Sequence, residues 1–271
     1  MDRYVVFGNP VSHSLSPEIH ARFARATGEV LDYQRLLVPV GEFASHAQRF
    51  FSAGGHGANV TLPFKVDAFA FAQAASERAR LAGAANVLLA RGGEVEADNT
   101  DGAGLVADLT RNLGLDLRGK RVLLVGAGGA ARGVIAPLLA LAPAELAIAN
   151  RTADRAAGLV KHFRELGTLR VVSLQTAPDD GFDLVVNATS SSTHAQSLEL
   201  PQGLLRPAAC VYDMAYGEAA RPFLALAAAQ GARVADGLGM LVEQAAESFL
   251  LWRGVRPATD TVLAELRARL A

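Results

Sequence analysis

The sequence predicts an α/β protein: an N-terminal α/β lobe, then a lobe built on a doubly wound parallel sheet, with C-terminal helices returning to the first lobe. Three observations predict it. The apolar run Val122, Leu123, Leu124 and Val125 is continuous, as a strand buried on both faces must be, and it leads directly into Gly126, Gly128 and Gly129. A helical face of Val134, Ile135, Leu138 and Leu139 follows, with Pro137 expected to kink this helix or mark its first turns. Strand-like and helix-like segments then alternate as far as residue 235, the pattern of a parallel sheet clothed by helices on both sides.

Strand, Gly-x-Gly-x-x-Ala, helix and strand together form a dinucleotide-binding fingerprint. Gly126 permits the tight turn, Gly128 lets the backbone approach a pyrophosphate, and Ala131 is small enough for helix and strand to pack closely. Backbone amides at the helix start face the phosphates. The next strand, 145–149, ends on Asn150 and Arg151, with Arg155 one helical turn on, where an NAD site carries a carboxylate. Two guanidiniums suit a 2′-phosphate, so the expected cofactor is NADP. Taken alone, Arg155 reads equally as a solvated helix-start residue.

With 271 residues, 51% of them hydrophobic, 20% charged and a net charge of −1, the chain can bury a large core and carries no basic excess to steer nucleic acid. A small-molecule substrate is expected. Among its 26 basic residues only Lys65, Lys120 and Lys161 are lysines. The single cysteine, Cys210, lies in the apolar run AACVYDM and reads as a buried strand thiol. No signal-peptide pattern or membrane-length apolar run is present, so a cytoplasmic location is expected.

In chain order, residues 3–7 form a strand. Ser16, Pro17 and Glu18 announce a helix, with Ser16 as its N-cap and Ile19, Phe23 and Ala24 on one face. Capping accounts fully for Ser16; Ser14, in the same turn, has no such account and is the better ligand candidate. Strand 33–38, helix 42–52 and strand 57–62 follow, and on the last of these Asn59 and Thr61 point to one side. Pro63 stops that strand, and Lys65 opens the next helix, where a cation opposes the helix dipole. A lysine at that place, in a chain that otherwise uses arginine, suggests a chemical role; a surface loop lysine accounts for this segment equally well. Helix 77–81, strand 85–90 with Asn86 at its entrance, and the Gly92-Gly93 hairpin to 94–97 lead to Asp98-Asn99-Thr100-Asp101-Gly102. There Asp98 and Thr100 read as capping and turn residues, as does Asp101 unless Lys65 is near it. Later elements are helix 153–166, strands 169–174, 182–187, 210–214 and 232–235, helix 221–230, and the final helices 238–254 and 259–270. Thr189, Met214 and Gly237, just past their strands, fall at the ligand-facing edge. The lobes are expected at 1–102, completed by 238–271, and 103–237.

The segments GNPVSHSLSP, NVTLPFK, GAAN, DNTDG, GAGGAAR, NRTADRA, NATS, DMAY and DGLGMLVEQAAESFLLWRG resemble, in order, those of the shikimate dehydrogenase family. The resemblance implies a substrate lobe, a Rossmann NADP lobe and reduction of 3-dehydroshikimate to shikimate with NADPH, on the route to chorismate and the aromatic amino acids. It implies that Ser14 and Ser16 hold the substrate carboxylate, that Asn59, Thr61, Asn86 and Gln244 make polar substrate contacts, and that Tyr216 closes on the carboxylate. Lys65 and Asp101 match the catalytic pair, which also touches substrate. Gly126, Gly128, Gly129, Ala130 and Ala131 match the phosphate loop; Asn150, Arg151, Thr152 and Arg155 match the 2′-phosphate clamp. Met214 and Gly237 are similar to the residues beside the nicotinamide, and Thr189 joins the expected cofactor residues from its place past its strand. Either a monomer or a homodimer is expected, and no metal; no feature of the sequence states the oligomeric state. The chain departs from the family at Ala21, around Ser192, and at Glu218 and Arg221. Two rivals differ in chemistry: a quinate or dual shikimate/quinate dehydrogenase, which often takes NAD, and a silent sensor of NADP or a shikimate-like ligand. Arg151, Arg155 and the paired serines oppose the first, and Lys65 with Asp101 opposes the second.

Overall fold

Period-two alternation in the first strand, β1 (Asp2–Gly8), builds a core on both of its faces. Val5 and Phe7 join Phe43, Val60, Phe64 and Ala68 on one side, while Tyr4 and Val6 join Val11 and Tyr33 on the other. In the computed structural model, which describes residues 1–175, 181–189 and 200–270, the chain divides into two units. The first comprises Met1–Gly104 with Leu241–Arg269; the second holds Leu105–Met240.

In the first unit β1 lies between β2 (Leu31–Leu37) and β3 (Gly57–Val60), parallel to both. Antiparallel to β3 runs β5 (Val87–Arg91), which pairs through the glycine hairpin with β6 (Glu94–Asp98). A two-residue strand, β4 (Ala74–Ala75), pairs parallel with β6 at the edge and was not expected from the sequence. Helices α1 (Ser16–Thr27), α2 (Phe43–Ser52), α3 (Lys65–Phe71) and α4 (Glu77–Ala82) connect the strands. Near the boundary α5 (Asp101–Ala107) runs into a π-helical turn, Asp108–Asn112.

The second unit is wholly parallel. Its strands β7 (Arg121–Val125), β8 (Glu145–Ala149), β9 (Leu169–Val172), β10 (Phe182–Asn187), β11 (Leu205–Asp213) and β12 (Arg233–Asp236) stand in the order β12-β11-β10-β7-β8-β9. Counted from β7 this is 3-2-1-4-5-6, the doubly wound dinucleotide-binding order, with its switch point between β7 and β10. Helices α6 (Gly129–Leu139), α7 (Ala153–Phe163) and α8 (Arg221–Ala229) cover it. Pro137 lies in the last turn of α6 rather than its first, so its missing N–H costs one bond near a helix end. Cys210 is buried in β11, and burial pushes its thiol pKa up.

The closing helices α9 (Leu238–Arg253) and α10 (Asp260–Leu270) return to the first unit, as the apolar face of the former requires. Trp252 donates its indole N–H to the Leu88 carbonyl at 3.2 Å, and Arg253 reaches Asp2, Tyr4 and Glu29. Arg269 pairs with Glu18 at 2.7 Å, which ties α10 to α1. Among the described residues no helix is long and apolar enough to cross a membrane.

Candidate active site

Lys65 and Asp101 meet. The first residue of α3 and the first of α5 stand with Nζ 2.5 Å from Oδ2, and their side chains are 12% and 5% exposed. A pairing 36 residues apart explains why a lysine is placed against a helix dipole: the Asp101 carboxylate offsets the penalty. The aspartate is held from behind. Its other oxygen accepts from the Asn86 side chain at 2.9 Å, and its backbone N–H donates to Asn99 at 3.2 Å.

Asn86 is the hub of this side of the site. Its amide nitrogen stands within bonding distance of Thr100 (2.9 Å), Asp101 (2.9 Å) and Gln244 (3.1 Å), and its oxygen accepts from the Thr100 backbone at 2.7 Å. Three acceptors thus surround two protons, so one acceptor stays available to a ligand's donor group. Asn59, on β3, donates to the Asn86 carbonyl at 3.2 Å and to the Ser248 hydroxyl at 3.0 Å, and accepts from the Tyr33 hydroxyl at 2.7 Å.

Ser16 does not cap α1. It is the first residue of the helix, Leu15 occupies the cap position without a side-chain bond, and the Ser16 hydroxyl is buried beside that of Ser14 at 3.2 Å. Ser14 donates its hydroxyl to that of Ser16 and accepts the Ser16 backbone N–H at 3.3 Å, so the two hydroxyls stand as a linked pair in one turn. Arg35 from β2 clamps the Ser14 carbonyl through two N–H groups at 2.9 and 2.6 Å, an arginine beside the serine turn that no local pattern announced. Thr61 falls one residue beyond β3, its methyl against Gly8. Asp98 and Thr100 are not surface caps. Asp98 receives Ser76 and a two-pronged contact from Arg78, and Thr100 is buried within the Asn86 and Gln244 network.

In the second unit the expected cofactor residues gather at the carboxyl ends of the strands. Gly126 has φ +119°, and a Cβ there would press within 3.0 Å of the Ala188 backbone at the mouth of β10, so only glycine lets the two strand ends meet at the switch point. A Cβ on Gly128 would meet nothing within 4 Å, the open space a pyrophosphate needs in front of the Gly129, Ala130 and Ala131 backbone that starts α6. Past β8, Asn150 donates to the Thr152 carbonyl at 2.9 Å, and the side chains of Arg151 and Arg155 are exposed with no carboxylate in the strand-end segment 150–153. These features fit NADP. Thr189 donates to Asn187 at 2.7 Å, the Met214 N–H to the Asn187 carbonyl at 2.9 Å, and the Gly237 N–H to Ala215 at 2.8 Å. Tyr216 directly precedes a short 3₁₀ turn, Gly217–Ala219, where the divergent Glu218 and Arg221 pair at 2.6 Å. Ser192 lies outside the described residues.

Three family models match: the shikimate dehydrogenase substrate binding domain over residues 6–88, shikimate/quinate 5-dehydrogenase over 108–210, and the shikimate 5'-dehydrogenase C-terminal domain over 237–267. The chain belongs to the shikimate dehydrogenase family. It is 56% identical, over 99% of its length and 98% of the relative's, to a shikimate dehydrogenase (NADP(+)) of Dechloromonas aromatica. Its structure is similar to that of an Ael1 enzyme from Pseudomonas putida, with 47% identity, TM-score 0.90 and 98% of each chain covered. A further likeness is to shikimate 5-dehydrogenase from Thermus thermophilus in complex with NADP(H) and shikimate, with 33% identity, TM-score 0.85 and both chains covered in full.

The residues that sequence reasoning passed over are Tyr33, Arg35, Thr100 and Ser248. Of these only Thr100 carried a local signal, sitting inside DNTDG. The others come from a strand and a helix distant in sequence and become polar partners of the site only on folding.

Proposed function

We propose that this protein reduces 3-dehydroshikimate to shikimate with NADPH, and oxidises shikimate with NADP in reverse. The observation that carries the reading is the enclosed Lys65–Asp101 contact at 2.5 Å, set among amide and hydroxyl groups suited to a polyol. Bound NADPH supplies the hydride. The protein must stabilise the oxyanion that develops on the substrate and protonate it. Lys65 presents its ammonium to that oxygen, and the Lys65–Asp101 pair delivers the proton as one coupled unit.

Ser14 and Ser16 donate to the substrate carboxylate, with Tyr216 completing that contact. Asn59, Thr61, Asn86 and Gln244 read the ring hydroxyls, and a missing hydroxyl leaves a buried group unpaired. Gly126, Gly128, Gly129, Ala130 and Ala131 seat the pyrophosphate; Asn150, Arg151, Thr152 and Arg155 hold the 2′-phosphate; Met214 and Gly237 line the nicotinamide end, with Thr189 at the cofactor edge. The lobe of residues 1–102 and 238–271 takes the substrate, and 103–237 takes NADP.

The test follows nicotinamide absorbance while purified protein meets shikimate or quinate, each with NADP or NAD. Fast turnover confined to shikimate with NADP is the expected result. Preference for quinate or NAD, or binding without turnover, would replace the assignment.

A further inference from the structure

Asn59 sits 5% exposed with nearly all of its hydrogen-bonding capacity used. Its two amide protons go to the Asn86 carbonyl at 3.2 Å and the Ser248 hydroxyl at 3.0 Å. A backbone carbonyl can only accept, so the amide cannot be turned end for end. One lone pair of Oδ1 takes the Tyr33 hydroxyl at 2.7 Å. The buried His20 imidazole lies beside Asn59 but makes no hydrogen bond of normal geometry, so what remains is a single acceptor lone pair, able to meet a hydroxyl donor and unable to meet a carbonyl.

Tyr33 is built to hold that state. Its ring stacks on His20 at 4.4 Å and 9°, and His20 is wholly buried with neither ring nitrogen hydrogen-bonded, so the imidazole acts as a flat packing surface. Burial pushes the Tyr33 pKa well up, which keeps its proton available to Asn59 at all ordinary pH values.

We infer that Tyr33 is a positioning residue for substrate selectivity: its hydroxyl commits Asn59 to accept one hydrogen bond from a substrate hydroxyl. The inference rests on the proposed placing of Asn59 at the substrate. Tyr33 itself touches neither substrate nor cofactor; its hydroxyl bonds Asn59 and also neighbours the Ser16 hydroxyl, and the cycle with Asn59→Ala separates the two routes.

The test uses Tyr33→Phe, which keeps the ring and its stack on His20, in a double-mutant cycle with Asn59→Ala in the full-length protein. Tyr33→Phe is expected to raise the KM for shikimate about tenfold, the worth of one buried hydrogen bond, with kcat and the KM for NADP within about twofold. In the Asn59→Ala background the same change should have no further effect. Analogues lacking one ring hydroxyl give a second readout. For one ring position, the penalty for the missing hydroxyl should shrink in Tyr33→Phe. An unchanged KM, or an equal Tyr33→Phe effect with and without Asn59, overturns the inference while leaving the activity standing. Absence of shikimate turnover in the unaltered protein overturns the proposed function and this inference with it.

Discussion

Lys65 illustrates how one side chain acquires a role from a partner. Alone at a helix start it is an electrostatic misfit; with Asp101 at 2.5 Å it becomes half of an enclosed ion pair, the one proposed to carry the acid/base step. Lys65→Ala should lower kcat by about 10²- to 10⁴-fold and change the KM for shikimate far less, as steady-state kinetics will read directly. Arg151 and Arg155 carry a different prediction. Replacing both by serine removes the two forked donors proposed for the 2′-phosphate, so kcat/KM with NADPH should fall more than about tenfold while that with NADH stays level or rises. An unchanged NADPH-to-NADH ratio would remove both from the cofactor clamp.

Where α4, β6 and α9 converge, packing depends on one charge network. Arg78 grips Asp98 through Nε and Nη2 at 2.5 and 3.0 Å and reaches Glu247 at 3.0 Å. Burial pushes the Glu247 pKa up, but Arg78 and Arg256 outweigh it and hold the carboxyl below its usual value. Arg78→Met would leave Asp98 buried without its cation. The expected loss is about 2 kcal/mol by denaturant titration, below the ~3–5 for a fully enclosed pair because the Arg78 side chain is 35% exposed. A midpoint equal to that of the unaltered protein would show that the network contributes nothing net.

Stability of the folded chain should fall on the acid side, and His20 sets where the fall begins. Burial lowers its pKa from 6.5 to about 3, so between those values the unfolded chain binds a proton that the folded chain refuses. Stability is therefore fully present above pH 6.5 and lost progressively as pH drops towards about 3, at no more than about 1.4 kcal/mol per pH unit. Carboxylates add to the loss further down. Hydrogen bonds from Arg170 and Arg121 hold Glu145 below its ordinary 4.5, an advantage that vanishes on protonation. His20→Phe keeps the stack on Tyr33 and removes two unpartnered nitrogens. Its unfolding free energy should be at least that of the unaltered protein near neutrality and less steep between pH 6.5 and about 5; an identical slope would refute the account of His20.

Local chemistry made much of this legible. Apolar runs, the glycine turn after β7 and the strand–helix alternation predict the doubly wound sheet, because period and turn residues are properties of neighbouring positions. The motif order along the chain led to the family for the same reason. What needed folding was everything carried by partners distant in sequence. Ser16 reads as a cap until the helix is seen to start on it, and Asp98 and Thr100 read as turn residues until Arg78, Asn86 and Gln244 surround them. Tyr33 and Ser248 carry no signal of their own, since a strand tyrosine and a helix serine are ordinary until β2 and α9 bring them to Asn59. Residue types and spacing specify which groups are present and how each segment coils or extends. Which donor faces which acceptor is fixed only when segments far apart in sequence enclose them together, because a buried polar group must find its partner wherever the packing puts one.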